Sequence, residues 1–407
     1  MKNRTVWIFN HYAITPEFPG GTRHYDISRE LIKRQYEVTI FASSFHHTQL
    51  REIKDYQTAN YIVENVDGIR FVWIKSYPYR RNDGKRVMNM LSYAIRAYWT
   101  GRKKIRQKPD IIIGSSVHLF AIYAAYRLSR HLKVPLLVEI RDIWPLTLVE
   151  MGMPKWHPFV IVLRALEKLL YRKAAKIITL LPESQIYFEN QGIPPEKIRI
   201  IPNGVNLDNY RCDSAGQVAS PNFKIMYVGK HGQSDSLKMV LDAAKALQDS
   251  GHDDIRFILI GDGIEKDALI KYSVSIDLKN VEFRPSVKKT MIPNVLGEAD
   301  VFVSLMQDAD IYRYGVSGNK EFDYAASGKP IIIVGNPRGH FVEEAGCGLV
   351  IPSQSPEALA KAVLSLYALG VQERKNMGRR GREYVEKCFA IPLLAAKLEK
   401  VFDEVLH

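Results

Sequence analysis

Short apolar runs of strand length, separated by segments of helical periodicity, recur along this chain from one end to the other. They stand at 6–9, 38–41, 70–74, 111–114, 136–139, 177–180 and 198–201. A second series follows at 224–228, 256–260, 281–283, 301–304, 331–334 and 348–351. Strands that are apolar along their whole length and alternate with helices belong in parallel sheets, where each crossover lays a helix on a sheet face. The predicted fold class is α/β, with two doubly wound domains of about six strands each. The polar, small-residue stretch 211–222 reads as a linker. It divides the chain into domains at 1–210 and 211–390, leaving a last helix within 391–407 that can pack back on the first domain.

At 407 residues the chain exceeds a single average domain. Three cysteines (Cys212, Cys347 and Cys388), far apart and odd in number, suit neither a disulfide framework nor a metal knuckle, and fit a reducing cytosol. The basic start is followed by an apolar run too short for a signal peptide, which reads as a first strand. No run approaches the ~20 residues of a membrane span. The net charge of +13 is unevenly placed. Residues 1–210 carry 32 of the 57 basic residues and 18 of the 44 acids, and the remainder is close to neutral. Such asymmetry points to an anionic partner for the first half, unless the basic residues only solvate its surface.

Open α/β sheets bind ligands beyond the carboxyl ends of their strands, so with two such domains the expected site is the cleft between them. Gly20 and Gly21 precede an amphipathic helix, where paired glycines let backbone N–H groups approach an anion. Gly229 and Gly232 flank Lys230 and His231 after the first strand of the second half, a sensible setting for a phosphate contact. Gly261-Asp262-Gly263 repeats the theme on the next strand. None of these is a P-loop or a dinucleotide fingerprint.

The stretch "GVSGNKEFDYAASGKPIII", 315–333, concentrates more chemistry. Ser317 and Gly318 can open a helix whose free N–H groups suit a diphosphate. Asn319 and Lys320 add donors in the first turn, and Asp323 can accept two hydrogen bonds from a diol such as a ribose. Ala325, Ala326 and Gly328 let the helix lie close to the strand that follows. A capped, tightly packed structural helix is the competing reading.

From this helix outward the chain resembles the glycosyltransferases of family 4, which have the GT-B fold. The resemblance rests on the glycine loop and helix at 20–31 and on "IRIIPNGVN" at 198–206. "KIMYVGK", "FILIGDG", "NVEFRPSV", "EADVFVSL" and "FDYAASGKPIII" follow in the family's order. "VEIRDIWPLTLVEMG", 138–152, resembles the variant of the subgroup that includes bacterial L-fucosamine transferases. The resemblance implies two Rossmann-like domains with the active site in their cleft, and sugar transfer from a nucleotide-sugar, most often UDP-linked, with retention. By position, Asp323 matches the ribose-binding acid, Lys230 a diphosphate-binding cation, and Gly20 and Gly21 the loop facing the donor. Two positions depart. Gly315 stands where the first acid of the family's E-x7-E motif contacts the sugar, and Asp235 replaces the usual second lysine, whose charge Lys320 can supply.

No metal is expected, because lysines and helix N-termini can neutralise the leaving diphosphate. Asp308 and Asp310 spell a DxD that reads as a loop. On the acceptor side, Asp142 can orient or deprotonate a hydroxyl. His118, which also follows a strand, is a second acceptor-side candidate, with a satisfied helix-start residue as the competing reading. Residues 79–108 hold ten Lys and Arg and one acid, interleaved with aromatic and aliphatic residues, and 154–176 repeats the pattern. Basic, aromatic amphipathic helices suit an anionic membrane surface. The expectation is a cytoplasmic enzyme, peripheral on the inner face of the cell membrane, needing no cofactor and serving a lipid-linked or growing surface glycan such as lipopolysaccharide or capsule. Nucleic acid is not an expected partner. The alternatives are a sugar-nucleotide epimerase or hydrolase and, in another class, a basic nucleic-acid-binding protein.

Overall fold

Every apolar run named above falls on or overlaps a strand. The computed structural model describes residues 3–406 apart from 48, 82, 117, 211–220, 233–234, 307–309, 336–339 and 353–354. Contacts divide the chain into two units: residues 1–15, 21–202 and 391–407, and residues 16–20 with 203–390. The division falls at 202/203 rather than at 210/211. Val205 bridges to Ala390, and the Tyr210 ring joins the second unit's core. Most of the expected linker, 211–220, lies outside the described residues.

The first unit is built on β1 (Arg4–Phe9), β2 (Tyr36–Ser43), the short ribbon β3 (Phe45–His46) and β4 (Arg51–Glu52), β5 (Tyr61–Val66), β6 (Ile69–Ile74), β7 (Ile111–Ser115), β8 (Leu136–Ile140), β9 (Lys176–Thr179) and β10 (Ile198–Ile200). Eight of these form one sheet in the order β10-β9-β8-β7-β1-β2-β6-β5. All its pairings are parallel except β5 with β6. That exception is a hairpin closed by Asp67 and Gly68, both at positive φ (52° and 85°), as a two-residue turn of primed type requires. The order reverses between β1 and β7, which makes their carboxyl ends the switch point of this sheet. The helix Ile391–Leu406 packs on the helix Arg23–Lys33, with Leu394, Leu398, Val401 and Phe402 in the same core as Ile27 and Leu31. Ion pairs from Arg34 to Glu399 (2.9 Å) and from Arg199 to Glu404 (2.6 Å) flank the contact.

The second unit carries β11 (Phe223–Val228), β12 (Ile255–Ile260), β13 (Val281–Arg284), β14 (Val301–Leu305), β15 (Ile331–Val334) and β16 (Gly348–Ile351). They form a fully parallel sheet in the order β13-β12-β11-β14-β15-β16. Side chains alternate between two cores. Ile225, Tyr227, Phe257, Leu259, Val301 and Val303 enter one, while Met226, Ile258, Phe302 and Ile331 enter the other. The central strands β11, β12, β14 and β15 are covered on both faces, which is why they read as largely apolar runs, while the edge strands β13 and β16 are partly exposed. The switch point lies between β11 and β14.

Candidate functional site

The loops that leave β11 and β14 meet at the second unit's switch point, and most of the donor-side residues lie on them. Lys230 is exposed and has no ion pair among the described residues. An ideal Cβ at Gly232 would lie 3.3 Å from Lys230 Cε and 3.2 Å from Asp235 Oδ2, so one glycine separates this cation from that acid. Asp235 Oδ1 accepts the Tyr227 hydroxyl at 2.8 Å and stands 3.7 Å from Lys320 Nζ. The Lys320 ammonium also lies 4.6 Å over the Tyr227 ring. The acid at 235 and the lysine at 320 are thus partners. Asp235 and the Tyr227 ring hold the Lys320 ammonium at the start of the helix Asn319–Ala326.

That helix opens at Gly318, with Asn319 and Lys320 half-buried in its first turn. Its approach is clamped by Asn203, whose backbone N–H donates to Ser317 Oγ (2.8 Å) and whose side-chain amide donates to Ser317 O (2.5 Å). A Cβ at Gly318 would fall 2.0 Å from Glu321 Oε2, so the glycine makes room for a buried carboxylate. Glu321 Oε1 accepts the Ser304 hydroxyl at 2.5 Å. Asp323 is buried and each of its oxygens has a partner: the Tyr210 hydroxyl donates to Oδ1 at 2.8 Å, and Lys289 pairs with Oδ2. Tyr210 and Lys289 are the residues that hold this acid, and sequence reasoning assigned them no role. Around Gly229 and Gly263 the space is filled by the protein itself. A Cβ at Gly263 would lie 2.2 Å from the His231 carbonyl, and one at Gly229 would lie 2.6 Å from the Tyr227 hydroxyl. The loops after β11 and β12 pack backbone to backbone, which is what these glycines permit.

In the first unit, the carboxyl ends of β1, β7 and β8 bring together a buried polar network. Glu139 accepts from Arg23 Nε (3.1 Å) and from the Ser115 hydroxyl (2.8 Å), and lies 2.8 Å from His24 Nε2. Arg23 also donates to the carbonyls of Ile201 and Pro202, and Asn10 Nδ2 donates to His24 Nδ1 at 2.8 Å. Burial acts to raise the Glu139 carboxyl, but Arg23 and His24 outweigh it and hold the group well below the usual carboxylate range. Gly20 and Gly21 immediately precede Thr22, the N-cap position of the helix that delivers Arg23 and His24. The motif pieces "TRHYD" and "VEIRD" carried the signal for this network, but only their proximity in space assigns them one function.

His118 is fully buried and caps the helix Leu119–Leu132, with Nδ1 accepting the Ala121 N–H at 3.3 Å. Its proton is therefore on Nε2, which donates to His11 Nδ1 at 2.7 Å. Burial first, then the charge of Arg86, brings His118 down to about 3. His11 lies between the rings of Tyr12 and Tyr93, at 4.5 and 4.3 Å. Asp142 is exposed, and no hydrogen bond or ion pair joins it to His118 among the described residues. The helix-capping reading of His118 describes its contacts. Asp308 lies outside the described residues, as does the side chain of Asp310. No group of three or more metal-ligating side chains occurs among the described residues.

Comparison with known proteins addresses both units. The family model described as Glycosyltransferase Family 4 matches residues 20–209, and the one described as Glycosyl transferases group 1 matches 222–368. The chain is 23% identical over 301 residues to WcaI of Escherichia coli (strain K12), named as a colanic acid biosynthesis glycosyl transferase, covering 70% of this chain and 73% of that protein. Among solved structures, sucrose-phosphate synthase from Thermosynechococcus elongatus superposes with a TM-score of 0.77 at 16% identity, covering 99% of each chain. HepE of Anabaena, solved in complex with UDP and glucose, gives 0.69 at 15% identity, covering 98% of this chain and 99% of that one. These likenesses bear out the GT-B fold. With family models matching both halves, this chain belongs to the family 4 glycosyltransferases.

Proposed function

We propose that this glycosyltransferase takes a UDP-sugar donor and transfers its hexosyl or N-acetylhexosaminyl group, with retention and without a metal, to a lipid-linked or growing surface glycan. The observation that carries the donor side is the set of groups at the second unit's switch point. Lys230, Lys320 and the N-terminus of the helix Asn319–Ala326 supply positive charge, and the buried Asp323 supplies a carboxylate one turn further on. Tyr210 and Lys289 fix the Asp323 carboxylate before any ligand arrives, while its remaining lone pairs suit a ribose diol. UDP in the HepE structure supports the choice of base, and the colanic acid biosynthesis for which WcaI is named supports a role in building a glycan. Calorimetric titration with UDP, GDP and ADP tests the reading. UDP is expected to bind most tightly, and Asp323→Ala to weaken it by about 1–3 kcal/mol, the range for hydrogen bonds to a charged partner. Unchanged UDP affinity in the folded variant would remove Asp323 from the ribose site. Product formation that requires an added acceptor separates transfer from epimerisation or hydrolysis.

Membrane association completes the proposal. The helix Gly84–Lys103 is apolar on two faces: Met90, Tyr93 and Ala97 are buried, while Met88, Leu91, Ile95 and Trp99 are exposed. Trp156, Ile161 and Val162 add a second exposed apolar group on or beside the helix Pro158–Lys173. No helix among the described residues is long and apolar enough to cross a membrane. Peripheral attachment to the inner face of the membrane, led by basic residues and anchored by Trp99 and Trp156, suits these surfaces. The protein is expected to co-float with phosphatidylglycerol liposomes, more weakly as salt shortens the screening length, and not with neutral ones. Equal flotation with both lipids, or a shift of random DNA at moderate salt in place of flotation, counts against it.

A further inference from the structure

Beyond the carboxyl ends of β2 and β6 lies a groove of about 680 Å³. It opens on the same end of the first unit's sheet as Asn10, His11 and His118, since β1, β2, β6 and β7 run parallel. Four of its lining side chains are cations: Arg51, Arg80, Arg81 and Lys85. None of the four is in an ion pair among the described residues, and all are exposed. Two acids, Asp83 and Glu52, also line it and leave a net excess of two positive charges, and each already accepts a hydrogen bond from the protein. Asp83 Oδ1 accepts the Lys85 N–H at 2.9 Å as a helix cap, and Glu52 accepts the Ser44 hydroxyl. The wall is held firmly. Ser43 and Ser76 hydroxyls lie 2.7 Å apart, and Asn89 donates to Ser76 Oγ (2.8 Å) and to Tyr77 O (2.7 Å).

The helix Gly84–Lys103 starts at this groove, and its exposed residues Met88, Leu91, Ile95 and Trp99 follow at intervals of three, four and four. They form one apolar stripe about 17 Å long, at 1.5 Å of rise per residue. Arg102 and Lys103 close its far end, 5.3 and 4.7 Å from the Trp99 ring. A concentrated anion site at one end of an aliphatic track fits an amphiphile with a phosphorylated head. We infer that the groove holds the diphosphate of a lipid-linked acceptor, whose first isoprenoid or alkyl units run along the stripe from the bilayer. A lining with four cations and a net excess of two positive charges suits a multiply charged diphosphate better than the single charge of a bilayer phosphodiester. The ligand end of the sheet is also where an acceptor must arrive. The inference rests on the lipid-linked acceptor proposed above.

The test is binding of farnesyl diphosphate with UDP present to fill the donor site, against farnesol, inorganic diphosphate and phosphatidylglycerol vesicles. Farnesyl diphosphate is expected to bind more tightly than either of its parts. Arg80→Ala with Arg81→Ala is expected to weaken it by about tenfold or more, as befits the loss of two charge-assisted contacts. Leu91→Ser with Ile95→Ser is expected to bring farnesyl diphosphate down toward inorganic diphosphate. UDP binding should stay at the wild-type level in both variants, and tryptophan fluorescence, which comes only from the first unit, reports their folding. Unchanged farnesyl diphosphate affinity in the arginine variant overturns the assignment, as does a loss confined to the vesicles. Failure of UDP to bind the wild type would instead count against the donor reading and leave the groove result standing.

Discussion

Glu139→Ala is expected to destabilise the first unit by about 3–5 kcal/mol, the cost of leaving a buried charge without its partner. Arg23, His24, Ser115 and Asn10 converge on or around this carboxylate, and the buried Arg23 guanidinium would lose its charge partner with it. Urea unfolding followed by tryptophan fluorescence reads the effect selectively, because all five tryptophans lie in the first unit. The pH dependence has a definite sign. The folded Glu139 carboxyl titrates below its unfolded value, so its contribution is present above about pH 4.3 and is lost as pH falls toward the folded value. His11, His24 and His118 are lowered by burial, so their neutral folded forms hold above about pH 6.5 and cost stability as pH falls below it. Wild-type unfolding midpoints should therefore decline from pH 7 to pH 5 through the histidines, before Glu139 contributes. A Glu139→Ala midpoint indistinguishable from wild type at pH 7 would mean that water, rather than the protein, satisfies Arg23.

Lys230→Ala with Lys320→Ala is expected to lower turnover by about 10²–10³-fold, the loss typical when preorganised stabilisation of a developing negative charge is removed. Each single variant should cost less than the pair, because the remaining ammonium and the helix N-terminus still face the leaving group. Lys320 carries a further signature. Asp235 and the Tyr227 ring orient it, so Asp235→Ala should impair turnover more than UDP affinity, whereas Lys230 is exposed without such a holder. The same proposal expects full turnover in excess EDTA. Turnover within a few-fold of wild type in the double variant would remove both lysines from the reaction, and abolition by EDTA with rescue by manganese would turn attention to Asp308 and Asp310.

Strands buried on both faces leave a mark that any window of six residues reveals, so the parallel strands of both sheets were legible from apolar runs. The hairpin strand β5 was not, because Tyr61–Val66 is an edge with half-exposed residues and its partner lies across a two-residue turn. The helix Gly84–Lys103 shows the same limit from the other side: its composition announced basic and apolar residues, but only packing sorted Met90 and Tyr93 inward and Leu91 and Ile95 outward.

By itself the sequence determined the α/β class, the order of the sheets' strands in the chain, the uneven charge and the residue types available at each loop. These are local properties, set by periodicity, by side-chain polarity and by glycine at turns. The tertiary structure alone decided which of those residues act together. Glu139 meets Arg23 across 116 positions, Asn203 clamps Ser317 across 114, and Lys289 reaches Asp323 across 34. The physical reason is that a buried charge must find its partner wherever the fold delivers one, and the sheet order that delivers it is a property of the whole chain. No local pattern records that Asp235 would orient Lys320.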